Sequence, residues 1–219
     1  MRIKAGKVMV MPEDYKHHIF VSYRRSDDDW VRWTRDNFVR ALASLLRLRL
    51  GKISIFVDES IEVGALWPHH LAHNLARSRI MVAILSRDYF LSDWCRLELA
   101  LMRNRERLSR FRTPQNPAGL IIPIVIDDGD CFPAEVQAMQ CEHLHSFANP
   151  FIRIDSPKQE ALAEVLKEKI CPVIETALAK VPDFDPTWEV VAHEQFEDMF
   201  RIVMRTQETV PPLGLVNQR

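Results

Sequence analysis

An indole and a carboxylate stand four residues apart in the run Ser92-Asp93-Trp94-Cys95-Arg96-Leu97-Glu98. On a helix the side chains of Trp94 and Glu98 would share one face. A flat ring beside a carboxylate could bind the base and ribose of a nucleotide, with Glu98 as the catalytic group. For an isolated W-x-x-x-E pattern, a buried tryptophan and an ordinary exposed glutamate are the more common explanation. The surrounding sequence must therefore decide between the two.

Three other groups of residues have types and spacing that could do chemistry. His69 and His73 have the i, i+4 spacing of metal ligands, but no third ligand is placed and no H-E-x-x-H motif exists, so we expect no metal site. The acidic run 27–29 is better suited to capping a helix than to holding a cation. Cys95 is expected to pack in the core, because nothing in the sequence orients a base towards it.

The positive charge is concentrated in the first half of the chain. Residues 1–112 contain 21 Lys and Arg against 13 Asp and Glu, whereas residues 113–219 contain 8 against 17. This polarity could favour an anionic ligand or association between copies, or the two halves could neutralise one another. The arginines between 103 and 112 predict a solvated helix face or a subunit contact, and no Gly-rich phosphate loop is present. We therefore expect no nucleic-acid partner.

Composition excludes several classes of protein. A hydrophobic fraction of 47% with 27% charged residues is typical of a globular chain rather than a disordered or fibrous one. No apolar run approaches the roughly 18 to 20 residues that cross a bilayer, and the N-terminal residues do not form a secretory signal, so we expect no membrane association. The four cysteines lack the spacing of a disulfide framework or a zinc site, which fits a cytoplasmic protein.

Apolar, strand-like runs alternate with amphipathic helices along the chain. This alternation predicts an α/β fold in which helices cover both faces of a parallel sheet. In such sheets the ligand crevice lies beyond the carboxyl ends of the strands, here in loops 24–29, 58–66, 86–93 and 127–132. Pro123 indicates an edge or bulge position, and Pro172 predicts a kink in its helix. The predicted strands are 18–23, 52–57, 80–85, 120–126 and 151–154, and the predicted helices run to about 48, from 67 to 77, from 93 to 112, from 133 to 139 and from 157 to 178.

The pattern divides the chain into three parts. Residues 1–16 form a poorly specified lead-in, and residues 17–180 contain the alternating elements of one domain. Residues 181–219 contain a proline-bounded connector, an amphipathic helix and a tail that starts near Pro211. The apolar stripe expected on that last helix consists of Phe196, Met199, Phe200 and Val203.

Four separated segments resemble one family. The strand HIFVSYRR, the segment FVDESIEVGALWPHHL, the strand and loop RIMVAILSRDYFLSDWCRLEL, and the strand LIIPIVI are together similar to a Toll/interleukin-1 receptor (TIR) domain of the bacterial, NAD-cleaving type. The S-x-W-C-x-x-E-L pattern after a hydrophobic strand is the most specific part. The resemblance covers about residues 17–178 and implies a flavodoxin-like, doubly wound sheet of five parallel strands.

The same resemblance implies roles for individual residues. Glu98 matches the catalytic glutamate of the family, and Trp94 matches the aromatic residue one turn before it. The remaining matches are expected to bind substrate: Tyr23 and Arg24 at the end of the first strand, and Asp58, Gly64 and Trp67 in the segment after the second strand. Apart from the resemblance, Arg24 or Arg25 could bind substrate by pairing with its pyrophosphate. No metal and no cofactor are implied, because NAD would be the substrate.

Several functions remain open at this point. The resemblance implies a NAD glycohydrolase or cyclase in bacterial anti-phage immune signalling, switched on by self-association or by a sensor or effector protein. The alternative is a non-enzymatic scaffold that recruits other TIR domains. A third possibility is a producer of a nucleotide messenger for a separate effector, since residues 179–219 are too few for a ligand-sensing domain. The presence of both Trp94 and Glu98 favours an enzyme.

Overall fold

One sheet of five parallel strands forms the centre of the protein in a computed structural model that describes residues 14–58, 67–127 and 132–208, with side chains to 205 except that of Trp67. The strand order is β2-β1-β3-β4-β5, which confirms the predicted flavodoxin-like fold. Because β2 and β3 lie on opposite sides of β1, the order reverses at β1, and a crevice is expected there. The strands are β1 (His17–Tyr23), β2 (Ile55–Val57), β3 (Ser78–Leu85), β4 (Ile121–Val125) and β5 (Glu142–His143).

Helices connect the strands and cover the sheet. Right-handed crossovers place the helix between β1 and β2 on one face and the helices between β2, β3 and β4 on the other. The helices are α1 (Asp28–Arg32, the π-helical Trp33–Val39 and Arg40–Leu50, contiguous), α2 (Trp67–Ala76), α3 (Arg87–Phe90), α4 (Asp93–Leu108), α5 (Ala134–Gln137), α6 (Pro157–Val165, the π-helical Leu166–Ile170 and Cys171–Leu178, contiguous) and α7 (Thr187–Glu208).

Two helix layers enclose the sheet. Helix α1 contacts α6 on one face, while α7 packs on α2 and α4 on the other. All eight residues of β3 are buried, as expected for a central parallel strand covered on both faces. No helix among the described residues is long and apolar enough to span a membrane.

The predicted fifth strand at 151–154 is wrong. Those residues form a turn and loop in which Phe151 and Ile154 are exposed, and the fifth strand is instead the short β5. Its residues pair with Ile124 and Val125 at the end of β4. A short polar edge strand carries no hydrophobic pattern, whereas the alternation of Ile152, Arg153 and Ile154 imitates a strand.

Pro123 lies inside β4, which has β3 on one side and β5 on the other and keeps a regular register with β3, so the predicted edge or bulge position is wrong. The carbonyl of Leu120 accepts a hydrogen bond from Met81, and the N–H of Ile126 donates one to Leu85. Even-numbered residues of β4 therefore bond to β3, and the backbone groups of odd-numbered residues such as Pro123 point to the opposite side. On that other side β5 pairs with β4 only at Ile124 and Val125. The missing N–H of Pro123 therefore removes no bond of the sheet.

Helix α6 buries the stripe that its sequence predicts. Directly before the segment that contains Pro172, where the sequence predicts a kink, the hydrogen-bond register changes to π-helical over Leu166–Ile170. A π-helical turn is one way to accommodate a residue that lacks a backbone N–H. The buried stripe consists of Leu162, Leu166, Ile170, Ile174 and Leu178.

The loop after α4 is fastened by one buried carboxylate. Glu106 accepts hydrogen bonds from the backbone N–H groups of Leu120 and Ile121, at 2.5 and 2.9 Å, and pairs with Arg112 at 2.8 Å. Arg112 has a left-handed backbone conformation with φ of 52°, which is unusual for a residue other than glycine. The Glu106 contacts hold this loop so that β4 enters the sheet beside β3.

Candidate functional site

A cleft of about 350 Å³ lies at the carboxyl ends of β1 and β2, against the start of α4. It adjoins β1, the strand at which the strand order reverses. Its volume is within the range of small-molecule sites. The structure brings six of the eight predicted site residues to this one cleft. The lining residues among them are Tyr23, Arg24, Arg25, Asp58, Trp94 and Glu98.

Glu98 is a buried carboxyl group, with only 7% of its surface exposed. Burial raises its pKa to about 8, and the nearby charge of Asp58 acts in the same direction, whereas the hydrogen bond from Ser22 and the charge of Arg25 act against it. A carboxyl group with a pKa near neutrality can take up and release protons at physiological pH, which is typical of catalytic carboxyl groups.

Hydrogen bonds fix Glu98 to the sheet. Ser22 on β1 donates to Glu98 Oε2 at 2.5 Å, and its hydroxyl lies 2.8 Å from that of Tyr89 on α3. The Tyr89 hydroxyl in turn donates to the carbonyl of Cys95 at 3.1 Å. These contacts link β1, α3 and α4 beside the cleft, and the bond from Ser22 limits the rotation of the Glu98 carboxyl group.

Trp94 lines the same cleft as Glu98, one helical turn earlier, as the spacing predicted. Its indole also stacks on Phe196 of α7, with ring centroids 5.8 Å apart and an angle of 24° between the rings. Phe196 is fully buried in this contact. The C-terminal helix therefore covers part of the aromatic surface that the sequence assigned to a nucleotide.

Arg25 and Tyr23 hold the backbone at the end of β2. Arg25 forms an ion pair with Asp58 at 3.0 Å and donates to the Asp58 carbonyl at 3.1 Å, while the Tyr23 hydroxyl donates to the same carbonyl at 3.3 Å. These contacts close one side of the cleft. Arg25 can also orient the charge of Asp58 relative to Glu98.

A second cleft, of about 340 Å³, lies on the other side of the first strand's end. It shares Tyr23 and Arg24 with the first cleft and includes the N-cap residue Ser86. A ligand with two connected parts could occupy both clefts with Arg24 between them.

The largest described cleft, about 1080 Å³, lies on the outer side of α4 and does not include Glu98.

The remaining two predicted site residues are not placed. Gly64 lies outside the described residues, as do the rest of the loop to residue 66, the lead-in to residue 13 and the tail from Pro211. Trp67 begins α2, and its side chain is likewise outside the description. Their assignments as substrate-binding residues stay predictions.

Cys95 lines the cleft but is not suited to nucleophilic catalysis. Burial raises the pKa of its thiol to about 12, so the thiolate is negligible at neutral pH. Its sulfur lies 3.5 Å from the carbonyl of Tyr23, to which the thiol can donate. Core packing, the expectation from sequence, agrees with this environment.

Sequence reasoning missed three residues at the site. Ser22 is a polar residue directly after the apolar run 19–21 of β1, and that change in the pattern was a signal that could have been followed. Tyr89 and Phe196 gave no local signal, because each reaches the site through a contact between elements. Phe196 was placed correctly on an apolar stripe, but its partner could not be identified from periodicity.

Comparison with known proteins places the chain in a family context. The family profile described as TIR domain matches residues 19–154. Vesicle-associated protein 1-4 of Arabidopsis thaliana is 31% identical over 90 residues, which covers 41% of this chain but only 14% of that protein. The matched family region includes all residues of the cleft from Tyr23 to Glu98.

Two solved structures were matched to this chain. The TIR domain of the Toll-related receptor TRR-2 from Hydra magnipapillata is 16% identical, with 73% of this chain and 99% of that chain covered and a TM-score of 0.48. The TIR domains of the activated Roq1 resistosome, which directly recognizes the pathogen effector XopQ, are 17% identical, with coverages of 84% and 99% and a TM-score of 0.36.

Proposed function

Since the chain belongs to the TIR-domain family, we propose that it is a NAD glycohydrolase or cyclase that cleaves the nicotinamide–ribose bond. The observation that carries the proposal is the buried Glu98 in a cleft that also holds Trp94, with its pKa raised to about 8. A lone carboxyl group of this kind suits a reaction in which positive charge develops on a bound sugar.

The chemistry requires little more than one carboxylate. The bond between ribose C1′ and the pyridinium nitrogen breaks with its electron pair moving to nitrogen, so nicotinamide leaves as a neutral base without protonation. The ribose then carries positive charge, which ionised Glu98 stabilises. Water adds at C1′ and loses a proton to give ADP-ribose, or an internal nucleophile of the same molecule adds in place of water to give a cyclic ADP-ribose. NAD is the substrate, and the reaction needs no other cofactor.

The two adjoining clefts suit the two halves of the dinucleotide. The cleft with Glu98 would hold nicotinamide riboside, with Trp94 against the sugar or base. Arg24, which lines both clefts, would pair with the pyrophosphate between the halves, and the second cleft would hold the adenosine part.

The biological setting is part of the same proposal. The resemblance of the sequence motifs to the bacterial type of TIR domain supports a role in anti-phage immune signalling, in which contacts between TIR domains or a sensor partner would switch the enzyme on. Coverage of Trp94 by Phe196 supports a resting state with low activity. Displacement of α7 by assembly or by a partner would then expose the indole to substrate.

Nicotinamide release from NAD tests the proposed function directly. The full chain is incubated with NAD at low concentration, and at high concentration with a crowding agent that promotes assembly, and the products are separated by chromatography. We expect nicotinamide and an equal amount of ADP-ribose or of a cyclic ADP-ribose, with faster release in the assembled sample. Absence of nicotinamide under both conditions would contradict the proposal and favour a scaffold.

The pH dependence of turnover should report the ionisation of Glu98. Because the carboxylate is the active form and its pKa is about 8, about a tenth of the free enzyme is active at pH 7. We expect kcat/KM to rise with pH up to about pH 8 and then level. The rise of kcat with pH should occur at lower pH than the rise of kcat/KM, because the bound cationic nicotinamide stabilises the Glu98 carboxylate. A profile without any rise between pH 6 and 8 would contradict this assignment.

Replacement of Ser22 by alanine should shift the rise of kcat/KM to higher pH. The hydrogen bond from Ser22 lowers the Glu98 pKa, so its loss should raise the apparent pKa in kcat/KM and lower activity at pH 7 by about tenfold. Activity above the new pKa should largely recover. A Ser22→Ala enzyme that is equally impaired at every pH would indicate damage to the site rather than a changed pKa.

Replacement of Trp94 by alanine should weaken substrate binding. Stacking of a base on an aromatic side chain contributes about 1 to 3 kcal/mol, so we expect kcat/KM to fall by roughly 5- to 150-fold, mainly through KM. Trp188, also a tryptophan but packed over Arg105 away from the cleft, provides the matched control. Steady-state kinetics of Trp94→Ala and Trp188→Phe compare the two, and an equal loss in both would contradict direct contact of Trp94 with substrate.

A non-enzymatic scaffold is the second candidate, and one feature of α7 favours it. Large apolar side chains on this helix remain exposed, including Val190 at 57% and Met204 at 43%. Such side chains suit contact with another protein. A scaffold would retain self-association while releasing no nicotinamide from NAD, which sedimentation and the NAD assay distinguish.

A further inference from the structure

Helices α2 and α7 bring imidazole and carboxylate groups together on the side of the molecule where they pack. His73 lies on α2, and Glu189 and His193 lie one turn apart on α7. One potential ligand atom from each of the three lies within 4.8 Å of the other two. Sequence spacing alone offered only the pair on α2, because its partners are more than 110 residues away along the chain.

We propose that His73, Glu189 and His193 bind a zinc-class divalent transition-metal ion that fastens α7 to α2. Two imidazole nitrogens and one carboxylate oxygen are a ligand set that zinc accepts, and water would occupy the fourth position. Magnesium and calcium prefer oxygen ligands, so this set discriminates against both.

The distances require only small side-chain adjustments. His73 Nδ1 lies 2.5 Å from Glu189 Oε1, and His193 Nε2 lies 3.9 Å from the same oxygen. Neighbouring ligand atoms around tetrahedral zinc are about 3.3 Å apart, given zinc–ligand bonds of about 2.0 to 2.1 Å. The first distance must lengthen and the second shorten, which rotations of partly exposed side chains can provide.

Further side chains orient the three proposed ligands. His193 Nδ1 lies 3.2 Å from His69 Nδ1, and His69 Nε2 lies 3.1 Å from Glu197 Oε1. With His193 Nε2 on the ion, its Nδ1–H would donate to His69, whose other nitrogen would donate to the carboxylate. Arg77 holds the second oxygen of Glu189 at 2.9 Å. Such outer hydrogen bonds are typical of histidine and carboxylate metal ligands.

The site is open to solvent yet joins two separate helices. The side chains of His73, Glu189 and His193 are 35%, 20% and 31% exposed, so an ion can reach them. An ion bound across the helices would hold α7 in the position in which Phe196 covers Trp94. The binding itself does not depend on the proposed cleavage of NAD.

Zinc binding to the full chain tests the proposal. Protein treated with EDTA and then freed of chelator is titrated with Zn²⁺ by calorimetry, and with Mg²⁺ in parallel. We expect one tight Zn²⁺ site per chain and no Mg²⁺ binding there. Visible absorption on addition of Co²⁺, as a spectroscopic substitute for zinc, should show the d–d bands of a tetrahedral site.

Variants identify the ligands. His73→Ala and His193→Ala should each weaken Zn²⁺ binding by about tenfold or more, whereas His145→Ala, at an exposed histidine of a different loop, should bind as the wild type does. Glu189→Gln retains the shape of the side chain and should show the same loss of Zn²⁺ affinity. It provides the test of the site if a histidine variant folds poorly. Unchanged affinity in folded His193→Ala or Glu189→Gln would overturn the site.

Hydrogen exchange tests whether the ion joins the helices. Zn²⁺ should slow amide exchange in α7 of the wild type and leave it unchanged in His73→Ala, whose missing ligand lies on α2. Zinc binding without slower exchange in α7 would overturn the bridging arrangement. Both measurements are independent of activity on NAD, so either proposal can fail alone.

Discussion

Glu98→Gln should lower the rate of nicotinamide release from NAD by about 100- to 1000-fold, the usual effect of removing a principal electrostatic contact to a transition state. The substitution keeps the size of the side chain and can keep a hydrogen bond with Ser22. It removes the negative charge that the ribose cation requires. The loss should appear in kcat more than in KM, because the charge acts mainly when the bond breaks.

The same substitution should stabilise the fold, which separates a catalytic defect from a folding defect. Glu98 has a folded-state pKa of about 8 against an ordinary value of 4.5. Between these values the folded chain binds more protons than the unfolded chain, so stability falls as pH rises through this window. Glu98→Gln avoids this penalty and should gain about 1 to 3 kcal/mol at pH 7, with little difference below pH 4.5. Denaturant unfolding at several pH values measures it.

Asp93→Asn supplies a control on the same helix. Asp93 is exposed and forms an ion pair with Arg96 at the start of α4, so its charge should matter little to the reaction. We expect this variant to retain most of the wild-type turnover. Undiminished nicotinamide release by folded Glu98→Gln would remove Glu98 from the catalytic role, whatever the result for Asp93→Asn.

The sequence predicted the parts of the site that local pattern determines. Alternation of apolar strands with helices placed Trp94 and Glu98 on one helix face after β3, and parallel strands required their cleft to lie near the end of β1. The contact between Phe196 and Trp94 could not be predicted, because it depends on how α7 crosses α4. Likewise, periodicity cannot show that Glu98 is buried deeply enough for its pKa to reach about 8.

Buried polar residues with structural roles also could not be predicted from the sequence. A glutamate on a helix is normally exposed, and Glu106 has the same local setting as its exposed neighbours on α4. Its burial to 3% depends on how the loop after α4 returns to the sheet, which the arginine-rich sequence of that segment does not reveal. The proposed metal ligands on α7, Glu189 and His193, could not be predicted for a similar reason. The spacing of His69 and His73 indicated α2 but not the helix that packs against it.

Glu106→Ala should lower the free energy of unfolding by about 3 to 5 kcal/mol, the usual effect of removing one partner from a buried, hydrogen-bonded ion pair. The backbone N–H groups of Leu120 and Ile121 would lose their acceptor at the entrance to β4, and Arg112 would lose its carboxylate. Buried donors without an acceptor are costly. Urea unfolding followed by circular dichroism measures the change.

Two variants separate the role of the Glu106 carboxylate from that of charge in general. Glu106→Gln keeps an acceptor oxygen for the two N–H groups but loses the ion pair with Arg112, so its loss should be smaller, about 1 to 2 kcal/mol. Glu135→Ala removes the surface ion pair with Arg103, in which Glu135 is 63% exposed, and should change stability by less than about 1 kcal/mol. Equal effects of Glu106→Ala and Glu135→Ala would show that Glu106 acts only as a surface charge. Glu106→Ala should therefore have the largest effect and Glu135→Ala the smallest. The N–H groups that lose the Glu106 carboxylate are buried, whereas water can replace the exposed Glu135 carboxylate.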